Sequence, residues 1–279
     1  MNLSGRTRLL GVVGHPVGHS LSPRMHNASF AATGLDYVYV ALDVRPEVLP
    51  AAVNGLRALG FRGFNVTMPH KESILPLLDG LDEAAALTGA VNTVVAEEDG
   101  LRGTNTDGSG FVEACEESGV GLDGARVLLV GAGGAAASIA LAVLGEGAGE
   151  LRIVNRSRWR AVKLRERLWG AYPGAGISVH DATDPEGAVR GADVVVNATY
   201  LGMKPEDPLP VPVGGLGTNA AVCDAVYGPG GETRFIRLAK ERGLPAVSGA
   251  RMLLYQGVQA QRIWTGEAPD VRAMSDSLS

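Results

Sequence analysis

The stretch RVLLVGAGGAAASIALAVL, Arg126 to Leu144, constrains the fold more than any other part of the chain. A short apolar run, Val127 to Val130, meets a glycine-rich turn, and the turn opens a helix-like segment from Ala135 to Leu144. Strand, tight turn and helix in that order begin a βαβ unit whose turn accepts a pyrophosphate. Gly131 permits the turn, Gly133 lets backbone approach an anion, and the small Ala136 lets the helix lie close to the strand. The first helical turn then offers its peptide N–H groups. A glycine-rich loop by itself only makes a turn; the strand before it and the helix after it favour a dinucleotide site.

The pattern continues with a strand at Leu151 to Val154, a helix at Arg158 to Trp169, and strands near Ile177 to His180, Val194 to Asn197 and Ala221 to Ala225. This alternation predicts a doubly wound α/β unit. An NAD site places Asp or Glu at the end of the second strand, to hold a ribose 2′-hydroxyl. Here that place holds Asn155, followed by Arg156, Arg158 and Arg160 in NRSRWR. Guanidinium groups pair with phosphate and stack on adenine, so the expected cofactor is NADP rather than NAD. The competing reading is a basic helix face in solvent.

The first half alternates as well. Strands are expected at Leu9 to Val13, Tyr37 to Leu42 and Arg62 to Val66, with helices at Ser22 to Thr33, opened by Ser22-Pro23, and at Pro46 to Leu59. These favour a parallel sheet. Val91 to Ala96 and Leu101 to Thr104 flank Glu97-Glu98-Asp99-Gly100, a hairpin signature. A helix is expected from Gly108 to Ser118, and the last long one runs from about Arg251 to Thr265. Two α/β domains imply a cleft, the expected home of a ligand.

Four segments are unusually polar for places where buried strands end: GHSLSPRMHN, GFNVTMPHK, GAVNT and GTNTDG. Together they offer hydroxyls, amides, one amine and one carboxylate, a set suited to a small polyhydroxylated acid. The chain has 279 residues, enough for two ordinary cores, and is 46% apolar and 20% charged. A net charge of −5 with scattered basic residues argues against nucleic-acid and anionic-membrane surfaces. No apolar run is long enough for a membrane span, and the N-terminal MNLSGRTRLLGVVGHP reads as a first strand rather than a secretory signal. Cys115 and Cys223 have no metal-like spacing, and His15, His19, His26 and His70 lack acidic company, so no metal is expected. A cytoplasmic location is expected, and a homodimer is carried as one form of assembly.

The motifs SLSP with HN, NVTMPHK, GAVNT, NTDG, GAGGAA, NRS, NAT with GM, DAVYGP and GARMLLYQG resemble, in that order and nearly end to end, the shikimate dehydrogenase family. The resemblance implies two domains: an N-terminal α/β substrate domain (1–107 plus 249–279) and a Rossmann-like doubly wound NADP-binding domain (108–248), with the C-terminal helix returning to the first. It implies reversible, NADPH-dependent reduction of the ketone of 3-dehydroshikimate to shikimate. By motif position, Ser20 and Ser22 hold the substrate carboxylate with help from Tyr227. Thr67, Asn92 and Gln256 hold ring hydroxyls, while Lys71 and Asp107 form the reacting pair. On the cofactor side it implies Gly131, Ala132, Gly133, Gly134 and Ala135, then Asn155, Arg156, Ser157, Arg158 and Arg160, with Ala225, Gly249 and Met252 near the nicotinamide.

These roles have physical reasons. Hydride addition to a ketone builds negative charge on oxygen, which an ammonium can stabilise and protonate. Arginine hardly gives up a proton, so a lysine in a chain with only four of them is the expected donor. Asp107 would orient the amine and bond a substrate hydroxyl. Against this, Lys71 reads as a solvated lysine at a helix start, and Asp107, Ser20 and Ser22 read as helix caps. Asn65 is read as a turn or strand-end residue. The pattern departs from the family at Tyr200, Ala225 and Ala250, all on the cofactor side. Quinate or aminoshikimate dehydrogenase, and a non-catalytic NADP-binding sensor, stay open as alternatives.

Overall fold

A computed structural model describes residues 3–228 and 231–278. The chain forms two compact units: one extends to Thr106 and resumes at Gln256, and the other is Asp107–Tyr255.

In the first unit β1 (Arg8–Gly14), β2 (Tyr37–Asp43) and β3 (Gly63–Val66) pair in parallel, linked by α1 (Ser22–Thr33) and α2 (Leu49–Ala58). Pro23 occupies the first turn of α1, where its missing N–H costs nothing, and Gly34 ends the helix in a left-handed conformation (φ 73°). The helix expected from Pro46 to Leu59 is divided: Pro46–Val48 is a 3-10 turn, and α2 restarts at Leu49 with Pro50 in its first turn. Then come β4 (Gly80–Leu81), α3 (Glu83–Thr88), β5 (Thr93–Glu97) and β6 (Gly100–Thr104).

The strand order is β2-β1-β3-β5-β6-β4, and β5 runs antiparallel to both neighbours. The sheet is therefore mixed. The two residues between β5 and β6 leave no room for a crossover, so the hairpin reverses the chain. One face packs Val13, Val53, Leu56, Phe64 and Ile74; the other packs Leu10, Val12, Phe30, Tyr39 and Trp264. At the open edge, Asn27 accepts from the Tyr39 N–H (2.9 Å) and donates to its carbonyl (2.8 Å). A side chain thus stands in for a strand partner and blunts β2 as a template for aggregation.

The second unit contains α4 (Asp107–Glu117), β7 (Arg126–Val130), α5 (Gly134–Gly145), β8 (Glu150–Val154), α6 (Arg158–Ala171), β9 (Ile177–His180), α7 (Pro185–Val189), β10 (Val194–Asn197), β11 (Ala221–Asp224), α8 (Arg234–Glu241) and β12 (Ala246–Val247). All six strands are parallel, in the order β12-β11-β10-β7-β8-β9. The apolar runs of β7 and β10 are buried on both faces, as a parallel sheet requires. The register places Val130, Val154, Asn197 and Asp224 at one end. The small faces of α5 allow close packing: Gly108 of α4 donates its N–H to Ser138 Oγ at 2.9 Å.

The boundary at Gln256 falls inside α9 (Gly249–Thr265), which is followed by α10 (Val271–Ser277). The later part of α9 belongs to the first unit, where Trp264 Nε1–H donates to the Val94 carbonyl (2.8 Å) and the Trp264 carbonyl accepts from Arg62 Nε (3.0 Å). The Asp270 N–H, just before α10, donates to Ser29 Oγ of α1 at 3.0 Å. Among the described residues no helix is long and apolar enough to cross a membrane.

Candidate active site

The polar segments of the first unit collect at one end of its sheet. β1, β3 and β6 end there, and the antiparallel β5 begins there, because Asn65 stands opposite Thr93 and Thr93 opposite Thr104. The loop after β1 carries Ser20, half-buried, and Ser22, buried at the start of α1. Leu21 is the helix cap and has no capping side chain, while the Ser22 N–H donates to Ser20 Oγ at 3.3 Å. The loop after β3 carries Thr67 and Lys71, both half-buried. Its backbone is tied on two sides: the Thr67 N–H donates to the Val13 carbonyl (2.9 Å), and the Lys71 carbonyl accepts from the Val91 N–H (2.8 Å). His70 is buried between them and bonds the Val44 carbonyl through Nε2 (2.6 Å), so it fixes the loop.

Asn92 is buried in a chain of polar contacts. Its Nδ2 donates to Thr106 Oγ1 (2.9 Å) and Gln256 Oε1 (3.3 Å), and its Oδ1 accepts from the Thr106 N–H (2.8 Å) and Thr93 Oγ1 (2.9 Å). Behind it Asn65 donates to the Asn92 carbonyl and to Thr93 Oγ1 (both 3.0 Å) and accepts from the Tyr39 hydroxyl (2.6 Å). The structure thus joins Asn92 and Gln256, two of the expected hydroxyl-binding residues. Tyr39, Asn65, Thr93 and Thr106 form the supporting network; the sequence signalled the last three only as polar residues at strand ends and gave no sign of Tyr39. Asn65 is the next-to-last residue of β3, so of its two readings the strand end holds and the turn does not.

In the second unit the glycine turn joins β7 to α5. Gly131 has φ 127°, and a Cβ there would lie 2.7 Å from the Ala198 carbonyl oxygen, so only glycine fits. Its N–H donates to the Val154 carbonyl at 2.8 Å, holding the turn against the end of β8. A Cβ on Gly133 would meet nothing within 4 Å, and no side chain caps α5 at that residue. This is open approach to helix N–H groups, as a pyrophosphate needs. Ala132, Gly134 and Ala135 line the same half-buried turn.

Beside it, after β8, Asn155 Nδ2 donates to the Ser157 carbonyl (2.9 Å) and shapes the loop, while Arg156, Arg158 and Arg160 are exposed. The Arg160 guanidinium lies over the exposed Trp159 ring, 5.4 Å from its centroid. Asp181, after β9, is held below the usual carboxylate range by hydrogen bonds from Thr183, with a smaller contribution from the charge of Arg158. No acid follows β8, so the loop suits a 2′-phosphate rather than a 2′-hydroxyl.

Asp107 is buried as the first residue of α4. Ala225 and Tyr227, half-buried, follow β11, and Gly249 opens α9. Met252 is 4% exposed and packs in the unit's apolar core with Val247 and Cys223, so most of its surface is already used there. Of the residues that depart from the family pattern, Tyr200 is 62% exposed.

A glycine turn and a basic loop on a doubly wound sheet, together with a second α/β unit whose strand ends gather hydroxyls, amides and an amine, define a two-domain nicotinamide-nucleotide oxidoreductase. Family models described as the shikimate dehydrogenase substrate binding domain, shikimate / quinate 5-dehydrogenase and the shikimate 5′-dehydrogenase C-terminal domain match residues 12–94, 113–202 and 249–278. A protein of Rubrobacter xylanophilus named shikimate dehydrogenase (NADP(+)) is 61% identical over 99% of this chain and 97% of its own length. The crystal structure of shikimate 5-dehydrogenase from Listeria monocytogenes in complex with shikimate and NAD superposes with a TM-score of 0.90 at 37% identity, covering 100% of this chain and 99% of that one. The Thermus thermophilus enzyme in complex with NADP(H) and shikimate gives 0.87 at 39% identity, over 97% and 98%. The chain belongs to the shikimate dehydrogenase family.

Proposed function

We infer that this protein is an NADP-dependent oxidoreductase that reduces the ketone of 3-dehydroshikimate to the alcohol of shikimate, reversibly. The observation that carries the reading is the meeting of the ends of β1, β3, β5 and β6, whose adjoining loops carry Ser20, Ser22, Thr67, Lys71 and Asn92, with Gln256 hydrogen-bonded to Asn92. That set offers hydrogen bonds to a carboxylate and ring hydroxyls, plus one transferable proton. The names of the relatives and the molecules bound in the related crystal structures support it.

When bound, NADPH supplies a hydride to the ketone carbon. Gly131 to Ala135 and the amino end of α5 would hold its pyrophosphate, and Asn155, Arg156, Ser157, Arg158 and Arg160 its adenosine 2′-phosphate. Ala225, Gly249 and Met252 would border the nicotinamide. Ser20, Ser22 and Tyr227 fix the substrate carboxylate, and Thr67, Asn92 and Gln256 its hydroxyls. As charge grows on the ketone oxygen, the Lys71 ammonium stabilises it and transfers a proton from Nζ, which completes the alcohol. Asp107 would accept a hydrogen bond from a substrate hydroxyl. In the reverse direction the neutral amine takes that proton back.

The test follows NADPH absorbance with 3-dehydroshikimate, then substitutes NADH and, for the reverse reaction, quinate and aminoshikimate for shikimate. NADPH with 3-dehydroshikimate should give the highest kcat/KM, and Arg156→Ala should narrow the preference for NADPH over NADH. Tight NADPH binding without turnover would make the protein a sensor, and a higher kcat/KM on quinate would reassign the substrate. A cytoplasmic location is part of the proposal and is supported by the two buried free thiols Cys115 and Cys223, which suit a reducing compartment. A homodimer is the assembly proposed, and sedimentation equilibrium would reveal it.

A further inference from the structure

Asp224 is buried, 1% exposed, at the carboxyl end of β11, and the chemistry above does not use it. Three donors converge on its carboxylate. Asn197 Nδ2–H (2.9 Å) and the Val226 N–H (3.1 Å) donate to Oδ1, and the Thr233 hydroxyl donates to Oδ2 (2.7 Å). Each donor represents a different segment. Asn197 ends β10 and organises the loop after it, accepting from the Thr199 N–H (3.1 Å) and hydroxyl (2.6 Å) and donating to the Leu201 carbonyl (2.9 Å). Thr233 caps α8, accepting from the Ile236 N–H at 3.3 Å. Val226 lies between Ala225 and Tyr227.

The loop is held from its other side as well. A Cβ on Gly249 would lie 2.2 Å from the Val226 carbonyl oxygen, so the start of α9 presses directly on that peptide. The Ala225 N–H donates to the Asn197 carbonyl at 2.8 Å. Burying a carboxylate is costly; burial pushes the Asp224 carboxyl up to about 7, against the three hydrogen bonds that favour its ionised form. An apolar residue would fill the space at lower cost but could not join three segments. This junction sits at the carboxyl ends of parallel strands, where a doubly wound sheet presents its ligands.

We propose that Asp224 is a positioning residue: its carboxylate sets the backbone of residues 225–227, and through Tyr227 and Ala225 it sets how the acid substrate and the nicotinamide ring are presented. The proposal rests on the roles given above to Tyr227 and Ala225. It is tested by steady-state kinetics with shikimate on Asp224→Ala, Asp224→Asn, Asp224→Glu and Tyr227→Phe. In parallel, calorimetric titration with adenosine 2′,5′-bisphosphate reads the arginine loop alone.

Asp224→Ala should raise KM for shikimate about tenfold and lower kcat, with bisphosphate affinity changed less than about twofold. Asp224→Asn should stay within about threefold of the wild type, because its Oδ1 still accepts from Asn197 and Val226 while its amide donates to the Thr233 oxygen. Asp224→Glu, whose extra methylene displaces the same bonds, should resemble Asp224→Ala. If Asp224→Ala is insoluble, the Asn and Glu variants decide the matter alone. Unaltered kinetics in Asp224→Ala, or a glutamate variant better than the asparagine one, overturns the proposal. A raised KM in Tyr227→Phe with a silent Asp224→Ala leaves the substrate assignment standing and removes only the positioning role. A raised KM in Asp224→Ala with a silent Tyr227→Phe overturns the route through Tyr227.

Discussion

His26 lies in the core of the first unit, stacked on Tyr39 with ring centroids 4.4 Å apart and tilted against Trp264 at 5.5 Å. With its proton on Nδ1 it donates to Gln261 Oε1 at 3.4 Å, and Nε2 meets no hydrogen-bond partner among the described residues. Burial therefore lowers its pKa from 6.5 to about 4, with the Gln261 bond opposing the shift. The unfolded chain binds the extra proton first, so stability rises with pH between about 4 and 6.5 and is lost as pH falls through that window. The full loss is on the order of 3 kcal/mol. Urea unfolding of the wild type should show this decline between pH 7 and pH 4.5, and His26→Phe should flatten it; equal declines in both proteins would contradict the assignment. The sequence shows a histidine with no metal-like neighbours at position 26, but stacking across elements far apart in the chain is not readable from it. Asn65 makes the same point: its partners Tyr39 and Thr93 come from two other strands, so a local reading sees only a polar residue near a turn.

At the scale of the element, the turn between β7 and α5 is where local chemistry and structure agree most closely. Gly131 combines φ 127° with a neighbour that a Cβ would approach to 2.7 Å; the turn was implicit in a glycine directly after a buried strand, whereas the neighbour, the Ala198 carbonyl after β10, was not. Gly131→Ala combines a left-handed strain on the order of 1–3 kcal/mol with a clash against the Ala198 carbonyl. Its predicted result is a lower thermal midpoint and weakened NADPH binding by fluorescence titration; unchanged binding would show that the turn is not the pyrophosphate site. Elsewhere the elements were legible in proportion to their length. The long apolar periods gave α5, α6 and α9, whereas β4, α3, α7, β12 and α10 are too short to carry a period and depend on neighbours. The helix α8 had a readable signal, Thr233 capping RFIRLAKE, that strand-dominated reading passed over. Likewise the parallel sheet expected of the first half became mixed because a two-residue turn outweighs the alternation of strands and helices.

Across the whole molecule, the order of motifs carried more than any one of them. A chain that alternates strand and helix must place its loops at the two ends of its sheets, and polar loops after buried strands become sites for that reason. This made the polar loops of each unit legible: SLSP and NVTMPHK in the first, GAGGAA and NRSRWR in the second. What the sequence left out is the support: the Asn92 network, the His70 bond to Val44 and the Asp224 junction all arise from strands brought together by the register. The central claim is that Lys71 delivers the proton that completes ketone reduction, and it is tested most directly by the turnover of Lys71→Ala with 3-dehydroshikimate and NADPH, measured beside the NADPH dissociation constant. The account predicts that kcat falls by about 10²–10⁴-fold while NADPH binding stays within about twofold of the wild type. Turnover near that of the wild type would contradict it.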